Sequence, residues 1–290
     1  MMHTHRFNLR RLFTHAFLLF LSSISIASHA VAADILTTLP PLSGLVHWLD
    51  PKASVQCLLP NSADPHHFQL TPKQVESLQQ AKLLIRSSKD DGQWPRLQTS
   101  GETLDLWPSH ADPHHVATEH HHEHGNHAWL NPEAVEPILP TLAQALIHAN
   151  PEHKTDIEQQ LKQAQQQLIT IQQQWEELSE ALELQERGAI MQHAAWVSLF
   201  EDLKIPVWIT LESDQHAQEH GPQVLEDGLK ILQAHPDSLL IADRRHNNRS
   251  LEWLKRQQPD SIIITLDALG SAELTWPALM LRNMELLQQL

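Results

Sequence analysis

The residues with the most evident chemistry are histidines in the middle of the chain. Eight of them lie from His110 to His127, within and just before the stretch DPHHVATEHHHEHGNHAWLNP. Neutral imidazole is a ligand for zinc and related transition metals. The run is internal and continues into AWLNPEAVEPIL, which has the pattern of a helix start, so it is not a terminal purification tag. The pattern predicts a tight metal site, a loosely metal-binding loop, or both.

Other candidate ligands follow predicted strands. His66 and His67 come after ASVQCLL, His193 after RGAIMQ and Asp267 after SIIITL, while His127 precedes the helix start NPEAV. In open parallel sheets, ligands bind at the carboxyl ends of the strands, so three imidazoles and a carboxylate should converge there. A single histidine after a strand is more often a hydrogen-bonded surface or capping residue. The metal interpretation therefore depends on the whole set.

Such a ligand set favours zinc. Four-coordinate Zn²⁺ binds His nitrogen at about 2.0–2.1 Å, whereas oxygen-rich shells suit manganese, magnesium or calcium. His193 is the discriminating residue, because a glutamate in its place would favour manganese.

Short apolar runs alternate with amphipathic helical stretches along the chain. ILTTL, ASVQCLL and KLLIRS are predicted strands before the His-rich run, and RGAIMQ, PVWITL, DSLLIA and SIIITL are predicted strands after it. Thr71, Pro72 and Gln74 form a helix start, and Asn131 and Pro132 begin a helix that reaches about Ala149. The pattern predicts an α/β fold of two lobes with mostly parallel sheets.

The segment from Pro151 to Leu184 predicts one long amphipathic helix. Its apolar residues recur at steps of three and four and form a single stripe. They are Ile157, Leu161, Ala164, Leu168, Ile171, Trp175, Leu178 and Leu182. We interpret it as a rigid spine helix joining the lobes, which predicts modest lobe motion; a coiled-coil dimer is the alternative. The domains are then 34–150 (first lobe, with the His-rich loop 110–127), 151–185 (linking helix) and 186–290 (second lobe).

Residues 1–33 have the pattern of a cleaved secretory signal peptide. Arg6, Arg10 and Arg11 form a basic start, an apolar stretch follows, and AVAA supplies small residues for cleavage. An uncleaved anchor is the alternative, although the apolar run is short for a spanning helix. Since no cysteine stands at the cleavage region, a soluble periplasmic protein is expected rather than a lipoprotein.

Composition excludes several functions. A net charge of -15 repels nucleic acid and anionic membranes and favours a cation as partner. None of the eight glycines stands in a phosphate-binding pattern, which argues against a nucleotide cofactor. Cys57 is the single cysteine, so no internal disulfide can form.

Four spaced motifs carry a family resemblance. In order they are ADPHHFQLTPKQVESLQQAKLLI, HAWLNPEAV, MQHAAWVSLFEDLKIP and TLDALG. Together with the long helix and the His-rich insert, they resemble the solute-binding proteins of zinc-uptake ABC transporters, the ZnuA-like branch of the cluster A-I family. The resemblance implies a monomeric periplasmic carrier with Zn²⁺ held in the cleft between two lobes. It also implies delivery to an ABC transporter membrane permease, with no reaction catalysed.

Carried over by position, the resemblance assigns the metal ligands to His66, His127, His193 and Asp267. His67 is the second choice for the first of these, and water is the alternative to Asp267. The chain departs from the family in having Ala268 where proline is usual. It also has ADRRHNN where relatives show an acidic residue followed by apolar and small ones.

Several alternatives stay open. The chain could carry manganese or iron, or it could be a periplasmic zinc buffer or chaperone that never meets a permease. The sequence HAQEH, from His216 through Glu219 to His220, matches the inverted zinc-peptidase signature H-x-x-E-H, but its flanking residues favour a loop over the helix that this chemistry needs. The His-rich loop is expected to be disordered without metal and to capture zinc weakly; a solvated low-complexity insert is the alternative.

Overall fold

The computed structural model describes residues 33–63, 65, 68–88, 97, 99–107, 127–212 and 221–290. The expected signal peptide up to residue 32, His66, His67, the His-rich loop before His127 and the HAQEH motif lie outside these residues. Within these ranges, no helix combines the length and the apolar character that a membrane crossing requires.

Two four-stranded sheets form the centre of the described fold, and all neighbouring strands in each are parallel. The first sheet has the order β2-β1-β3-β4, with β1 Ile35–Thr37, β2 Val55–Cys57, β3 Leu83–Arg86 and β4 Glu102–Asp105. The second has the order β6-β5-β7-β8, with β5 Ala189–Met191, β6 Val207–Thr210, β7 Leu239–Asp243 and β8 Ile262–Leu266. The same order in both sheets confirms the prediction of two parallel α/β lobes.

Helices connect and cover these strands. In the first lobe they are α1 Pro40–Leu49, α2 Pro72–Gln80, α3 Pro132–Val135 and α4 Leu139–Ala149. The long helix is α5 Lys154–Ala181, and α6 Leu184–Arg187 follows it. The later helices are α7 Val197–Asp202, α8 Pro222–Ala234, α9 Arg249–Gln257 and α10 Trp276–Leu287. The capping box expected at Thr71 is present, since Gln74 N donates to Thr71 Oγ1 and Thr71 N donates to Gln74 Oε1.

Two local predictions were incomplete. Strand β4 was not predicted, because its sequence ETLD is polar and the strand lies at the sheet edge with Glu102 and Thr103 exposed. The single helix expected from Asn131 to Ala149 is divided into α3, a 3₁₀ turn at Glu136–Ile138 and α4. Pro137 and Pro140 lack the amide hydrogen that a continuous helix needs at these positions.

Helix α5 confirms the predicted amphipathic spine. Most of its apolar stripe is buried, whereas the opposite face is polar and exposed. The stripe packs on α1, α3, α4 and α10 of the same chain. Intramolecular packing therefore accounts for the stripe without a coiled-coil partner. The helix ends before Glu183, which has a positive φ of 53°.

The hydrophobic core runs through both lobes. Residues of β1, α5, β5 and α10 belong to one continuous buried cluster, and a smaller cluster lies on the other face of the second sheet, under α8 and α9. Successive side chains of β5 show the division, since Ala189 and Met191 belong to the large cluster and Ile190 to the small one.

Helix α10 also joins the lobes, because it packs on β8, on α5 and on α1. Trp48 of α1 stacks on Trp276 with ring centroids 5.1 Å apart. At Gly44, a Cβ atom would lie 2.6 Å from the Leu274 carbonyl oxygen. Only glycine permits this approach of α1 to the segment that begins α10.

We expect Leu168→Ala to lower the free energy of unfolding by about 2–5 kcal/mol, because it removes a fully packed side chain of the spine. The matched control is Ile169→Ala on the opposite face, which should change stability by less than about 0.5 kcal/mol. Leu168 is 1% exposed and Ile169 is 45% exposed. Urea unfolding followed by circular dichroism measures both. Equal losses in the two variants would contradict the assignment of the buried face.

Candidate metal centre

The carboxyl ends of the second sheet collect titratable side chains at one edge. His193 follows β5, Glu212 follows β6, His246 follows β7 and Asp267 follows β8. Because β6, β5, β7 and β8 are all parallel, these four positions share one edge of the sheet. His193 and Asp267 were predicted to lie there, whereas Glu212 and His246 were not.

His127 and His193 come together from different lobes. Their Nε2 atoms are 3.1 Å apart, and the rings meet edge to face with centroids 4.7 Å apart. Two nitrogen ligands on a tetrahedral zinc ion are about 3.3 Å apart, given the usual Zn–N bond length. The pair therefore has a separation that a metal ion could bridge with little movement.

Local structure fixes the position of His127. The residue has a left-handed backbone conformation, with φ of 65°, and precedes a 3₁₀ turn at Ala128–Leu130. In this turn, Trp129 Nε1 donates to the Ala268 carbonyl oxygen over 2.8 Å, and the Trp129 carbonyl accepts from Trp276 Nε1 over 2.6 Å. Both bonds are buried, and they join the turn to the segment after β8 and to the first residue of α10.

A second anchor lies at the end of the same turn. The Asn131 side-chain oxygen accepts from Glu133 N at the start of α3, and its amide donates to Ser198 Oγ and Asp202 Oδ2 of α7. Since α7 begins shortly after His193, the turn carrying His127 and the helix following His193 are held to each other directly.

His193 is buried and stacks on a second imidazole. Its ring lies against that of His246 with centroids 4.1 Å apart and an angle of 17° between the planes. His246 Nδ1 is 3.0 Å from Glu212 Oε2. The other carboxylate oxygen, Glu212 Oε1, accepts from Gln192 Nε2 over 2.8 Å. His193, Glu212 and His246 each place a possible ligand atom within 4.8 Å of the other two.

The turn after β7 brings His246 to this position. The Asn248 side chain accepts from Asp243 N and donates to the carbonyl oxygens of Asp243 and His246, which closes the turn. Burial raises the pKa of the Asp243 carboxyl above its usual value, although the nearby His246 and a hydrogen bond from Arg245 N act against the rise. This turn is the ADRRHNN segment, whose departure from the family pattern was the one sequence signal for His246.

Asp267 lies at the expected edge, but other groups contact its carboxylate. Oδ1 accepts from the Gly270 and Leu269 amides over 2.8 and 3.3 Å, and Oδ2 is 3.3 Å from Arg244 Nη1. Asn283 holds the backbone of Asp267 on both sides. A metal bound by Asp267 would therefore compete with Arg244 for Oδ2.

The segment leading to His66 is attached to the second lobe. Arg245 donates to the Ala63 carbonyl oxygen and to the Gly270 carbonyl oxygen. Asn61 donates to Glu273 Oε2 and accepts from the Ala272 amide. The chain just before His66 is thus held at the edge where His193 and Asp267 lie, while His66 and His67 themselves are outside the described residues.

Two parallel α/β lobes joined by a long helix, with imidazoles meeting between them, define the class of two-lobed metal-binding proteins. The family model described as zinc-uptake complex component A, periplasmic (ZnuA), matches residues 35–290. The chain belongs to this family, and it is therefore a periplasmic metal-binding solute-binding protein.

Individual similarities agree with this assignment. A crystal structure of ZnuA superposes with a TM-score of 0.72 at 20% identity, covering 89% of this chain and 98% of that one. A manganese-bound periplasmic metal-binding protein from Candidatus Liberibacter asiaticus gives a TM-score of 0.67 at 12% identity, covering 88% of this chain and 98% of that one. At these identities the two structures show a shared fold. A Thermotoga maritima protein, provisionally named metal-binding, is 25% identical over 260 residues, which are 88% of this chain and 91% of that protein.

We expect Gln192→Leu to lower the free energy of unfolding by about 1–3 kcal/mol. Gln192 is fully buried, and the substitution removes a donor from a buried carboxylate oxygen of Glu212. Gln223→Leu is the control, because Gln223 is exposed and donates to Asp227 on the surface of α8. That variant should stay within about 0.5 kcal/mol of the parent in urea unfolding. Indistinguishable midpoints for the two would show that Glu212 does not depend on this bond.

Proposed function

We propose that the protein binds Zn²⁺ with high affinity in the periplasm and delivers it to an ABC transporter permease. His66, His127, His193 and Asp267 are the proposed ligands, and no reaction is catalysed. The observation that carries the proposal is the 3.1 Å separation between the Nε2 atoms of His127 and His193, which come from different lobes. Two imidazoles at that distance, one on the turn before α3 and one following β5, would supply half of a zinc coordination shell.

The choice of zinc over manganese rests on the number of imidazole nitrogen ligands. His193 supplies an imidazole at the position where a carboxylate would favour manganese. His127 supplies a second, and one of His66 and His67 would supply a third. Asp267 or a water molecule would complete four-coordination. The relatives include a manganese-bound protein, so Mn²⁺ is the competing cargo to measure.

The remaining parts of the chain fit a carrier. A signal peptide over residues 1–33 would export the protein and be removed, and the His-rich loop would collect zinc weakly near the tight site. Because imidazole binds metal only when neutral, acid should release the ion as the nitrogens protonate. The lobes, as 34–150 and 186–290 with the linking helix 151–185, would move little on binding, because buried hydrogen bonds such as Trp129 Nε1 to Ala268 O connect them.

We expect purified protein to retain one tightly held zinc equivalent, and His193→Ala to lose it with at least about a 100-fold fall in affinity. A directly bound ligand should matter at least as much as the outer groups that orient ligands, whose loss costs about 10–100-fold. Metal analysis after dialysis, with competition between Zn²⁺ and Mn²⁺, measures both. His235→Ala is the control, because His235 is exposed and stacks on Trp208.

Unchanged zinc retention in His193→Ala would contradict the proposed site. The His-rich loop would then be the first candidate for tight binding. Preferential retention of Mn²⁺ by the parent protein would contradict zinc as the cargo.

The fourth ligand has its own test. Asp267→Asn keeps an oxygen for the Leu269 and Gly270 amides but removes the charge, so zinc affinity should fall by about tenfold or more if Asp267 binds the ion.

Arg244→Gln should raise zinc affinity by less than about fivefold, because an ion pair with a largely exposed arginine is worth about 1 kcal/mol or less. The Arg244 side chain is 56% exposed. Chelator competition measures the affinities, with the exposed Arg282→Gln as control. No change in either variant would assign the fourth position to water.

A further inference from the structure

We propose that His193, Glu212 and His246 form a cation site that belongs to the second lobe alone. Each offers a ligand atom within 4.8 Å of those of the other two. Neither Glu212 nor His246 is among the ligands proposed above. The inference rests on the proposed function only in taking Zn²⁺ as the cation, and it adds a place where the second lobe holds that ion by itself.

The geometry of the three side chains suits one ion. His246 Nδ1 and Glu212 Oε2 are 3.0 Å apart, close to the separation of about 3.3 Å between two ligands on tetrahedral zinc. The His193 ring lies nearly parallel to that of His246 with centroids 4.1 Å apart, so one of the two rings must tilt for a nitrogen of each to bind the same ion. Binding through His246 Nδ1 uses the tautomer with its proton on Nε2. The hydrogen bond to Glu212 is then replaced by two bonds to the metal.

The site lies at the ends of three adjacent strands. Its three residues follow β5, β6 and β7, which are adjacent in the order β6-β5-β7. His193 and Glu212 are 3% and 4% exposed. Gln192 holds the second oxygen of Glu212, and Asn248 holds the turn that carries His246. Partners that orient ligands in this way are typical of protein metal sites.

Two imidazoles and one glutamate are a recognised zinc ligand set, with water in the fourth position. The two nitrogens disfavour calcium and magnesium, which prefer oxygen shells. His193 is common to both ligand sets, since its Nε2 also lies 3.1 Å from His127 Nε2. An ion bound to His193 could therefore exchange first-lobe ligands for Glu212 and His246 without leaving the protein.

The experiment removes the first-lobe ligands and measures the Zn²⁺ affinity that remains. In otherwise intact protein, His66, His67 and His127 are all changed to alanine, and Zn²⁺ affinity is measured by chelator competition, with Co²⁺ absorption as a spectroscopic probe. We expect one residual equivalent, weaker than in the parent. Adding His246→Ala, or separately the isosteric Glu212→Gln, should lower that residual affinity by at least about tenfold and change the Co²⁺ spectrum.

Adding His235→Ala to the first-lobe variant should change neither readout. The proposal is overturned if the first-lobe variant binds no more tightly than the same variant lacking His246 or with Glu212→Gln. The His-rich loop is present in every protein, so its weak binding cancels in the comparison. Failure of the proposed function gives a different result, namely a parent protein without a tight zinc equivalent. Near-ultraviolet circular dichroism of each variant verifies folding.

Discussion

The approach of the His127 and His193 imidazoles is a contact between the lobes that the surrounding structure has to hold in place. These residues are far apart in sequence and belong to different lobes, yet their Nε2 atoms are 3.1 Å apart. A flexible connection could not hold that distance. The buried bonds of Trp129 to Ala268 and Trp276, and those of Asn131 to α7, fix one ring relative to the other. The spine helix and the shared core then keep the two sheets in one orientation.

Parallel strands explain why the second lobe contributes so many polar groups. The carboxyl ends of β5, β6, β7 and β8 open onto the same edge, so each following loop adds a side chain to one small volume. Burying several titratable groups together costs free energy of folding unless each has a hydrogen-bond or ion-pair partner. Glu212 has Gln192 and His246, and Asp267 has Arg244 and two amides. A dication bound at this edge would join groups that already have hydrogen-bond or ion-pair partners.

Much of this fold could be predicted from the sequence, because its signals are local. Among the described strands, all except β4 are apolar runs, the spine is a regular stripe, and the Thr71 cap has its complete motif. Strand β4 lacks an apolar run because it is a polar edge. Helix α3 is separated from α4 because two prolines interrupt an otherwise helical pattern.

The candidate site was predictable only in part. His127 and His193 stand beside clear structural boundaries, so their contact could be expected. Glu212 and His246 depend on β6 and β7 flanking β5, and strand order is a property of the whole chain that periodicity does not encode. The unusual ADRRHNN segment could indicate a local difference but not which ring its histidine would meet. Asp267 lies at the sheet edge that the sequence predicted. Its contact with Arg244, however, depends on the conformation of the loop after β7, which the sequence pattern does not give.

The close packing of α1 on the start of α10 at Gly44 has a mechanical consequence. The lobes are connected twice, once through α5 and once through α10, and a wide rotation of one lobe against the other would have to break the packing of α10 on α1 and α5. The lobes can twist or slide by small amounts, which is the shear type of domain motion. An ion would then reach the region between the lobes past individual loops and side chains. Its rates of entry and exit would be set by local fluctuations rather than by the opening of the two domains.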